Sequence, residues 1–154
     1  MAHEHFPPTP GRPQAHVEPP WNSVEVFLPS APPYVGTSRR IAAGAMERWD
    51  GIPPEVAADT VLIVSELMTN AIQHGGGADT PRAVGLRIEH SDGHLLVEVT
   101  DSSSKPARLK SAGEQATDGR GLHLVEKLAI AWGTTNTNHT TWARVSTEPQ
   151  EPAC

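Results

Sequence analysis

Apolar and polar positions divide the chain into segments with two different periods. Residues 54–74 repeat apolar side chains at intervals of three and four, the period of a helix that buries one face. Residues 83–90 and 94–101 instead alternate apolar and polar side chains, as strands covered on one side do. The tripeptide SDG between these two segments predicts a tight turn, so they form a predicted hairpin.

Five more segments complete the predicted order of elements. They are a strand over 23–29, helices over 37–51 and 119–129, and strands over 130–135 and 140–147. Ser38 is the predicted N-cap of the first helix, and Gly51 its stop. Between the hairpin and the third helix, residues 102–118 have few apolar side chains and contain Pro106 and Gly113, which predicts a mobile loop.

The faces of the first two helices follow from the same spacing. On the first helix a shared face is predicted for Ile41, Ala45 and Trp49. The predicted core stripe of the second helix is Ala57, Val61, Val64, Met68 and Ala71, and its polar side is Glu66, Thr69, Asn70 and Gln73. Helices on one face of a mostly antiparallel sheet make an α+β domain, a two-layer α/β sandwich.

Composition sets the domain boundaries. The 154 residues suggest one domain, but six of the 15 prolines fall within residues 1–20, which have almost no large apolar side chains. Such a segment cannot bury enough surface to offset its ordering entropy, so a disordered arm is predicted there. The domain itself is expected over 21–147, with a flexible tail over 148–154.

Charge and cysteine usage exclude several classes of function. The net charge of −6 and the scattered basic residues argue against direct nucleic-acid binding. No apolar run approaches the roughly 18 residues of a membrane span, so no membrane insertion is expected. The single cysteine, Cys154, forms no internal disulfide, which fits a cytoplasmic protein. No histidine has metal-ligand spacing to another histidine or to cysteine, so no zinc site is predicted.

The most informative stretch is ELMTNAIQH, residues 66–74. Glu66, Asn70 and His74 recur at intervals of four and therefore share one helix face. Taken alone, this helix favours a solvated face, because an acid–amide pair four residues apart has little specificity for a ligand. For His74 a structural role at the helix end is favoured, because a cation there suits the helix dipole.

Three features farther along the chain favour a ligand-binding face on this helix over a solvated one. Asp101 follows a strand and opens the long loop, where it serves as a turn residue or accepts a hydrogen bond from a ligand amino group. The segment GRGL, residues 119–122, places glycines before a helix, so that backbone N–H groups can approach an anion. It matches neither a Walker A motif nor a Rossmann fingerprint. Thr140 begins the last strand, where threonine is otherwise common.

Together these features resemble the Bergerat ATP-binding fold of gyrase, heat-shock chaperone ATPases and histidine kinases. The segments VSELMTNAIQHGG, GRGLHLVEKLAIAWG and TTWARV are most similar to the small anti-sigma-factor serine/threonine kinases. The resemblance spans roughly residues 24–146. It implies that ATP and Mg²⁺ are the cofactors.

The resemblance also implies a role for each matching residue. Glu66 would be the general base and Asn70 the Mg²⁺ ligand, while Asp101 would accept from the adenine amino group. The implied phosphate contacts come from Gly119, Arg120, Gly121 and Leu122. Thr140 would support the contact between Asp101 and adenine. These roles suit the chemistry, because Mg²⁺ prefers oxygen ligands and a nearby carboxylate can take a proton.

One departure from the family pattern bears on activity. The usual D-x-G-x-G after the aspartate is DSSSKP here, with Ser103 and Lys105 at the glycine positions. Lys105 can add charge near a phosphate or simply be a solvated lysine, and the second interpretation is favoured. Small stand-alone members often lack these glycines, so ATP binding is still expected.

The resemblance implies an anti-sigma factor that is also a kinase. Such proteins bind a sigma factor, phosphorylate a serine or threonine of an antagonist protein, and are often homodimers. The alternative is a nucleotide-binding interaction module without significant catalysis. A detached histidine-kinase catalytic domain is a weaker third interpretation, because residues 1–20 do not resemble a phospho-acceptor hairpin.

Overall fold

The computed structural model describes residues 22–74, 82–101, 116–135 and 139–148, with the backbone alone for 116–121. The elements are β1 (Ser23–Pro29), α1 (Pro33–Arg48), α2 (Pro54–His74), β2 (Ala83–Ser91), β3 (His94–Thr100), α3 (Ala116–Leu128), β4 (Ala131–Thr135) and β5 (Thr140–Ser146). The predicted arm, all of the predicted tail except Glu148, and most of the predicted mobile loop lie outside the described residues. No helix in the described ranges is long and apolar enough to cross a bilayer.

The five strands form one antiparallel sheet in the order β1-β2-β3-β5-β4. The helices pack on one face of it, with α2 across β2, β3 and β5, α1 against β1, and α3 against β4. Between the two layers lies a core of aliphatic side chains that includes Ile63, Leu67, Leu86, Val97 and Val125. The predicted α+β two-layer architecture is confirmed.

The helix α2 and the hairpin after it agree closely with the sequence. The α2 bounds are those predicted, because Pro54 fits the first turn of a helix. Val64, Met68 and Ala71 are buried as expected, whereas Ala57 and Val61 are only partly buried. In the hairpin the predicted turn consists of Asp92 and Gly93, both with positive φ, as a two-residue hairpin loop requires.

The helix α1 begins and ends earlier than its sequence predicts. It starts at Pro33 because the fixed φ of proline suits a first helical turn, and Tyr34 N–H already donates to Ala31 O at 3.0 Å. Ser38 is therefore inside the helix, where its hydroxyl donates to Val35 O at 2.6 Å, and is not the N-cap. The helix ends at Arg48, after which Trp49 is extended and packs into the core.

The shift also changes which face of α1 is buried. The buried residues are Ser38, Ala42 and Met46, one position away from the predicted stripe. Ile41 and Ala45 are only partly buried. Both lie at the side of the helix toward β1, where a groove opens.

The helix α3 begins at Ala116, three residues before the predicted start at Gly119. Residues 116–118 of the predicted mobile loop are therefore helical, and the rest of that loop lies outside the described ranges. Gly119 and Gly121 are within the helix. Glycine inside a helix costs about 1 kcal/mol relative to alanine, so this first part of α3 is intrinsically weak.

The opposite face of the sheet carries no helix in the described part of the chain. Two aromatic rings lie over glycines there, Phe27 over Gly85 and Trp142 over Gly133. Between them Arg87 Nη1 donates to Glu98 Oε2 at 3.0 Å, and this hydrogen bond raises the pKa of the guanidinium. This open face is thus polar and aromatic, while the helix-covered face is aliphatic.

Candidate functional site

The candidate site centres on one face of α2. Glu66 and Asn70 lie one turn apart and are both half-buried, whereas Gln73 and His74 at the end of the helix are exposed. The neighbouring face of the same helix carries the fully buried Leu67, which fixes the rotation of α2 on the sheet. The sequence therefore directs Glu66 and Asn70 toward the edge of the core.

The polar ends of these two side chains do not contribute to the hydrogen bonding of the described part of the fold. Neither Glu66 nor Asn70 has a hydrogen-bond or ion-pair partner among the described residues. No buried polar atom in the described part is left unsatisfied, so the ends of both side chains reach solvent. A carboxylate and an amide oxygen held four residues apart on a rigid helix are available to a ligand.

Asp101 lies at the end of the strand that α2 crosses. Its N–H donates to His139 O at 3.1 Å, which continues the β3–β5 ladder by one residue. Side chains alternate along a strand, so the Asp101 side chain lies on the same face as the buried Val97 and Val99. That face is the one covered by α2. The structure therefore brings Asp101 to the same side of the sheet as Glu66 and Asn70.

The strand β5 places its two threonines on opposite faces. Thr140 pairs with Thr100, and their hydroxyl oxygens are 2.7 Å apart on the open face. Thr141 pairs with Val99 and is 6% exposed on the helix-covered face. For a contact with a ligand between α2 and the sheet, the register favours Thr141 over the predicted Thr140.

The period-two alternation of TTWARVS already contains this information. Thr141, Ala143 and Val145 form one set and Thr140, Trp142 and Arg144 the other. Only the first set continues into apolar residues small enough for the core. The resemblance assigns the adenine-supporting role to Thr140, whose side chain the register places on the open face.

The segment GRGL, predicted to open the third helix, lies instead inside α3. Leu122 is buried at 2% exposure and contributes its side chain to the core. Because α3 begins at Ala116, the backbone N–H groups of Gly121 and Leu122 lie beyond the first turn, where helical N–H groups are bonded within the helix. The unbonded N–H groups of this helix belong to residues 116–119. Of the predicted anion site, Gly119 alone is at the helix start.

Two further predictions concern the surroundings of the site. Lys105, for which a solvated position is predicted, lies outside the described residues, and so does Ser103. Within the described ranges no group of three or more His, Cys, Asp or Glu side chains is arranged to hold a metal ion. Mg²⁺ that is bound together with a phosphate ligand usually has few protein ligands, and one amide oxygen such as that of Asn70 is compatible with this.

Comparison with known proteins agrees with this geometry. The profile of the histidine kinase-like ATPase domain matches residues 28–146, which include all five strands except part of β1. Two similar proteins are serine-protein kinases RsbW, from Bacillus subtilis (strain 168) at 29% identity and from Bacillus velezensis at 28%. Each alignment covers 68% of this chain and 72% of the relative. The chain thus belongs to the family of histidine kinase-like ATPase domains.

Proposed function

We propose that this protein is an ATP-dependent serine/threonine kinase that regulates transcription through protein partners. The observation that carries the proposal is the pair Glu66 and Asn70, half-buried on one helix face and without a polar partner among the described residues. The family membership supports ATP binding. The relatives that are named serine-protein kinases support transfer to a hydroxyl group of a protein.

In this proposal ATP lies between α2 and the adjoining ends of β3 and β5. Asp101 accepts a hydrogen bond from the adenine amino group, because a carboxylate has only acceptors. The hydroxyl of Thr141 donates to Asp101 or to an adenine nitrogen and fixes the base. Phosphate contacts come from the start of α3, where unbonded N–H groups and the helix dipole favour an anion.

Asn70 would hold Mg²⁺ through its amide oxygen. When bound, the ion supplies positive charge to the phosphates without a change of protonation. The amide suits this role because it is a hard oxygen donor that leaves the charge of the ion intact. Its position on a helix with a buried opposite face keeps the oxygen in place.

Glu66 serves as the general base. Its carboxylate takes the proton from a serine or threonine hydroxyl of the partner as the hydroxyl oxygen bonds to the γ-phosphorus. The bond from that phosphorus to the bridging oxygen breaks, and ADP leaves with the electron pair. The products are the phosphorylated partner, ADP and a proton on Glu66, which passes to solvent because the side chain is only half-buried.

The proposed biological role is partner switching. The protein binds a sigma factor and blocks it, and it phosphorylates an antagonist protein, whose phosphorylated form no longer holds it. A homodimer is the proposed assembly. Two observations support the proposed partners and the proposed dimer. One is the resemblance of the sequence motifs to anti-sigma-factor kinases, and the other is the similarity of the chain to the two RsbW proteins.

The test is transfer of γ-labelled phosphate to candidate antagonist proteins. We expect labelled serine or threonine, whose phosphate survives acid, with no transfer when Mg²⁺ is chelated. Acid-labile label would instead indicate phosphohistidine and contradict the serine/threonine assignment. Candidate antagonists can be identified by pull-down from the native cell, with and without ATP, and then purified for this assay.

A second candidate function has its own support. Ser103 and Lys105 replace the glycines expected after Asp101, and glycines in that position give the backbone its freedom near the nucleotide. A chain altered there can act by occupancy alone, as a nucleotide-dependent interaction module. Tight ATP binding combined with no transfer to any antagonist would favour this function over the kinase.

A further inference from the structure

A groove of about 500 Å³ runs between the edge strand β1 and the helix α1, away from the candidate ATP site. Its floor is apolar and includes Val24, Ile41, Ala45 and Trp49. The groove is roomy at its middle, because a Cβ added to Gly44 would meet no atom within 4 Å among the described residues. It is therefore an open, apolar-floored depression beside an exposed strand.

The strand β1 borders the groove through Ser23 and Val24, and its outer edge offers backbone groups that no described strand uses. It is the first strand of the sheet, and no described strand pairs with its outer edge. Ser30 N–H donates to Arg82 O at 2.7 Å, which continues the β1–β2 register. Hydrogen-bonded pairs recur every second residue in an antiparallel ladder, so the N–H and C=O groups of Ser23, Glu25 and Phe27 point outward.

Two arginines on α1 line the groove. Arg40 and Arg48 are exposed, and neither has an ion-pair partner in the described part of the chain. Arg40 makes only a long contact, 3.4 Å, to the hydroxyl of Thr37. In a protein with a net charge of −6, two such arginines beside one groove form a local positive surface.

We propose that this groove and the β1 edge bind an extended acidic segment of a partner protein as an added strand. The two spacings match: Arg40 and Arg48 are about 12 Å apart along a helix, and residues four apart in a strand are about 13 Å apart. The bound segment would have acidic residues at its first and fifth positions and an apolar residue at its third. The acidic residues pair with the two arginines, and the apolar residue packs on the apolar floor of the groove. Backbone pairing supplies affinity and the groove supplies specificity.

Other occupants from this chain fit less well. A second copy adding its own β1 would present Val24, Val26 and Leu28 toward the groove, none of which pairs with an arginine. Residues 1–20 contain six prolines, which lack the N–H groups that a ladder requires. Charge complementarity thus favours an acidic segment from a different protein.

The test uses the full chain and a capped seven-residue peptide. The peptide has glutamate at its second and sixth positions, leucine at its fourth and threonine elsewhere, and in a control peptide lysine replaces both glutamates. We expect saturable binding of the acidic peptide that weakens with salt, and no binding of the lysine peptide. Equal binding of both peptides would contradict the proposed charge recognition.

Two substitutions of Gly44 distinguish a loss of peptide binding from a loss of folding stability. Gly44→Leu fills the open groove with a good helix former, and Gly44→Ala is the matched control that removes the same glycine. We expect Gly44→Leu to weaken binding about tenfold or more, Gly44→Ala to leave it near the parental value, and both to melt no lower than the parent. Arg48→Glu should weaken binding at least as much as Gly44→Leu does.

Amide exchange by nuclear magnetic resonance tests the added strand itself. With peptide bound, the outward N–H groups of Ser23, Glu25 and Phe27 should become protected, while those of Trp132 and Thr134 on the opposite edge strand should not. Binding without this protection would overturn strand addition. Loss of a dimer in Gly44→Leu, seen by sedimentation, would assign the groove to a second copy instead. The outcome does not depend on ATP, so it can fail or hold separately from the proposed kinase activity.

Discussion

Two pairs of polar side chains in the helix layer differ in how they are satisfied. Ser38 and Thr60 are fully buried, and each hydroxyl donates to a carbonyl of its own helix, at 2.6 Å to Val35 and at 2.7 Å to Val56. Glu66 and Asn70 are half-buried and have no such partner among the described residues. The hydrogen bonds of the first pair, which we call the structural pair, are thus satisfied within the helix, whereas those of the second pair are not.

The difference follows from the chemistry of the side chains. A short hydroxyl can bond back to the preceding turn of its helix, which satisfies it at little cost. A carboxylate has no donor, and an amide needs both a donor and an acceptor. Glu66 and Asn70 lie at the edge of the core and therefore keep polar ends that make no hydrogen bond to the described residues. This contrast is the basis of the proposed ligand site on α2, which the following substitutions test against a solvated surface.

The largest expected effect comes from Glu66→Gln. The amide keeps the shape of the side chain but removes the proton acceptor, so phosphate transfer should fall by about 10²–10⁴-fold, with ATP affinity near the parental value. The measurement is transfer to an antagonist protein in parallel with ATP binding. Glu55→Gln, on the exposed first turn of α2, is the matched control and should transfer normally. Parental transfer by Glu66→Gln would remove the kinase mechanism and favour occupancy alone.

The next effect in size concerns recognition of the base. Asp101→Asn adds a donor where the adenine amino group also donates, and hydrogen bonds to charged groups contribute about 1.5–3 kcal/mol. We expect ATP affinity to fall by roughly 10- to 100-fold, with a smaller loss for GTP, whose base lacks that amino group. Competition between the two nucleotides measures this. An unchanged preference for ATP would show that Asp101 does not contact adenine.

A smaller effect distinguishes the two threonines of β5. Thr141→Val removes a hydroxyl from the helix-covered face, and one neutral hydrogen bond contributes about 1 kcal/mol, so ATP affinity should fall about fivefold. Thr140→Val removes a hydroxyl from the open face and should leave ATP affinity unchanged, although its bond to Thr100 is lost. If Thr140→Val weakens ATP binding and Thr141→Val does not, the original assignment from the family motif is correct.

The smallest effect is expected for the structural pair. Thr60→Val keeps the volume of the side chain and removes a hydroxyl that bonds only within its own helix, so stability should change by about 1 kcal/mol or less. ATP affinity and phosphate transfer should both stay at the parental level. Denaturant unfolding and calorimetry check the two expectations. A large loss of ATP binding in Thr60→Val would remove the distinction between the two pairs.

Much of the fold was accessible from local sequence rules, and the exceptions have physical reasons. The α2 bounds follow from Pro54 and the glycines after His74. The sequence predicts too late a start for α1 because Pro32 and Pro33 resemble a turn, yet Pro32 already has helical dihedrals. Propensity cannot decide between these, since proline suits both a turn and a first helical turn.

The site was partly predictable, whereas the groove was not. Glu66, Asn70 and Asp101 share the helix-covered side of the sheet as the motif implies, whereas the face on which each β5 threonine lies depends on the register of that strand. The groove depends on how α1 packs against β1, with Arg40, Gly44 and Arg48 on the side facing that strand. That relation between two elements is tertiary and has no signature in the local pattern.

The central claim is tested most directly by calorimetric titration of ATP into the parent and into Asn70→Ala, with Mg²⁺ and with a chelator. Asn70 is the proposed metal ligand, so the parent should bind ATP more tightly with Mg²⁺, and Asn70→Ala should lose that Mg²⁺-dependent gain. Gln73→Ala, one turn farther on and exposed, should behave as the parent. No heat and no thermal shift for the parent at millimolar ATP, or a parental Mg²⁺ response in Asn70→Ala, would contradict the account.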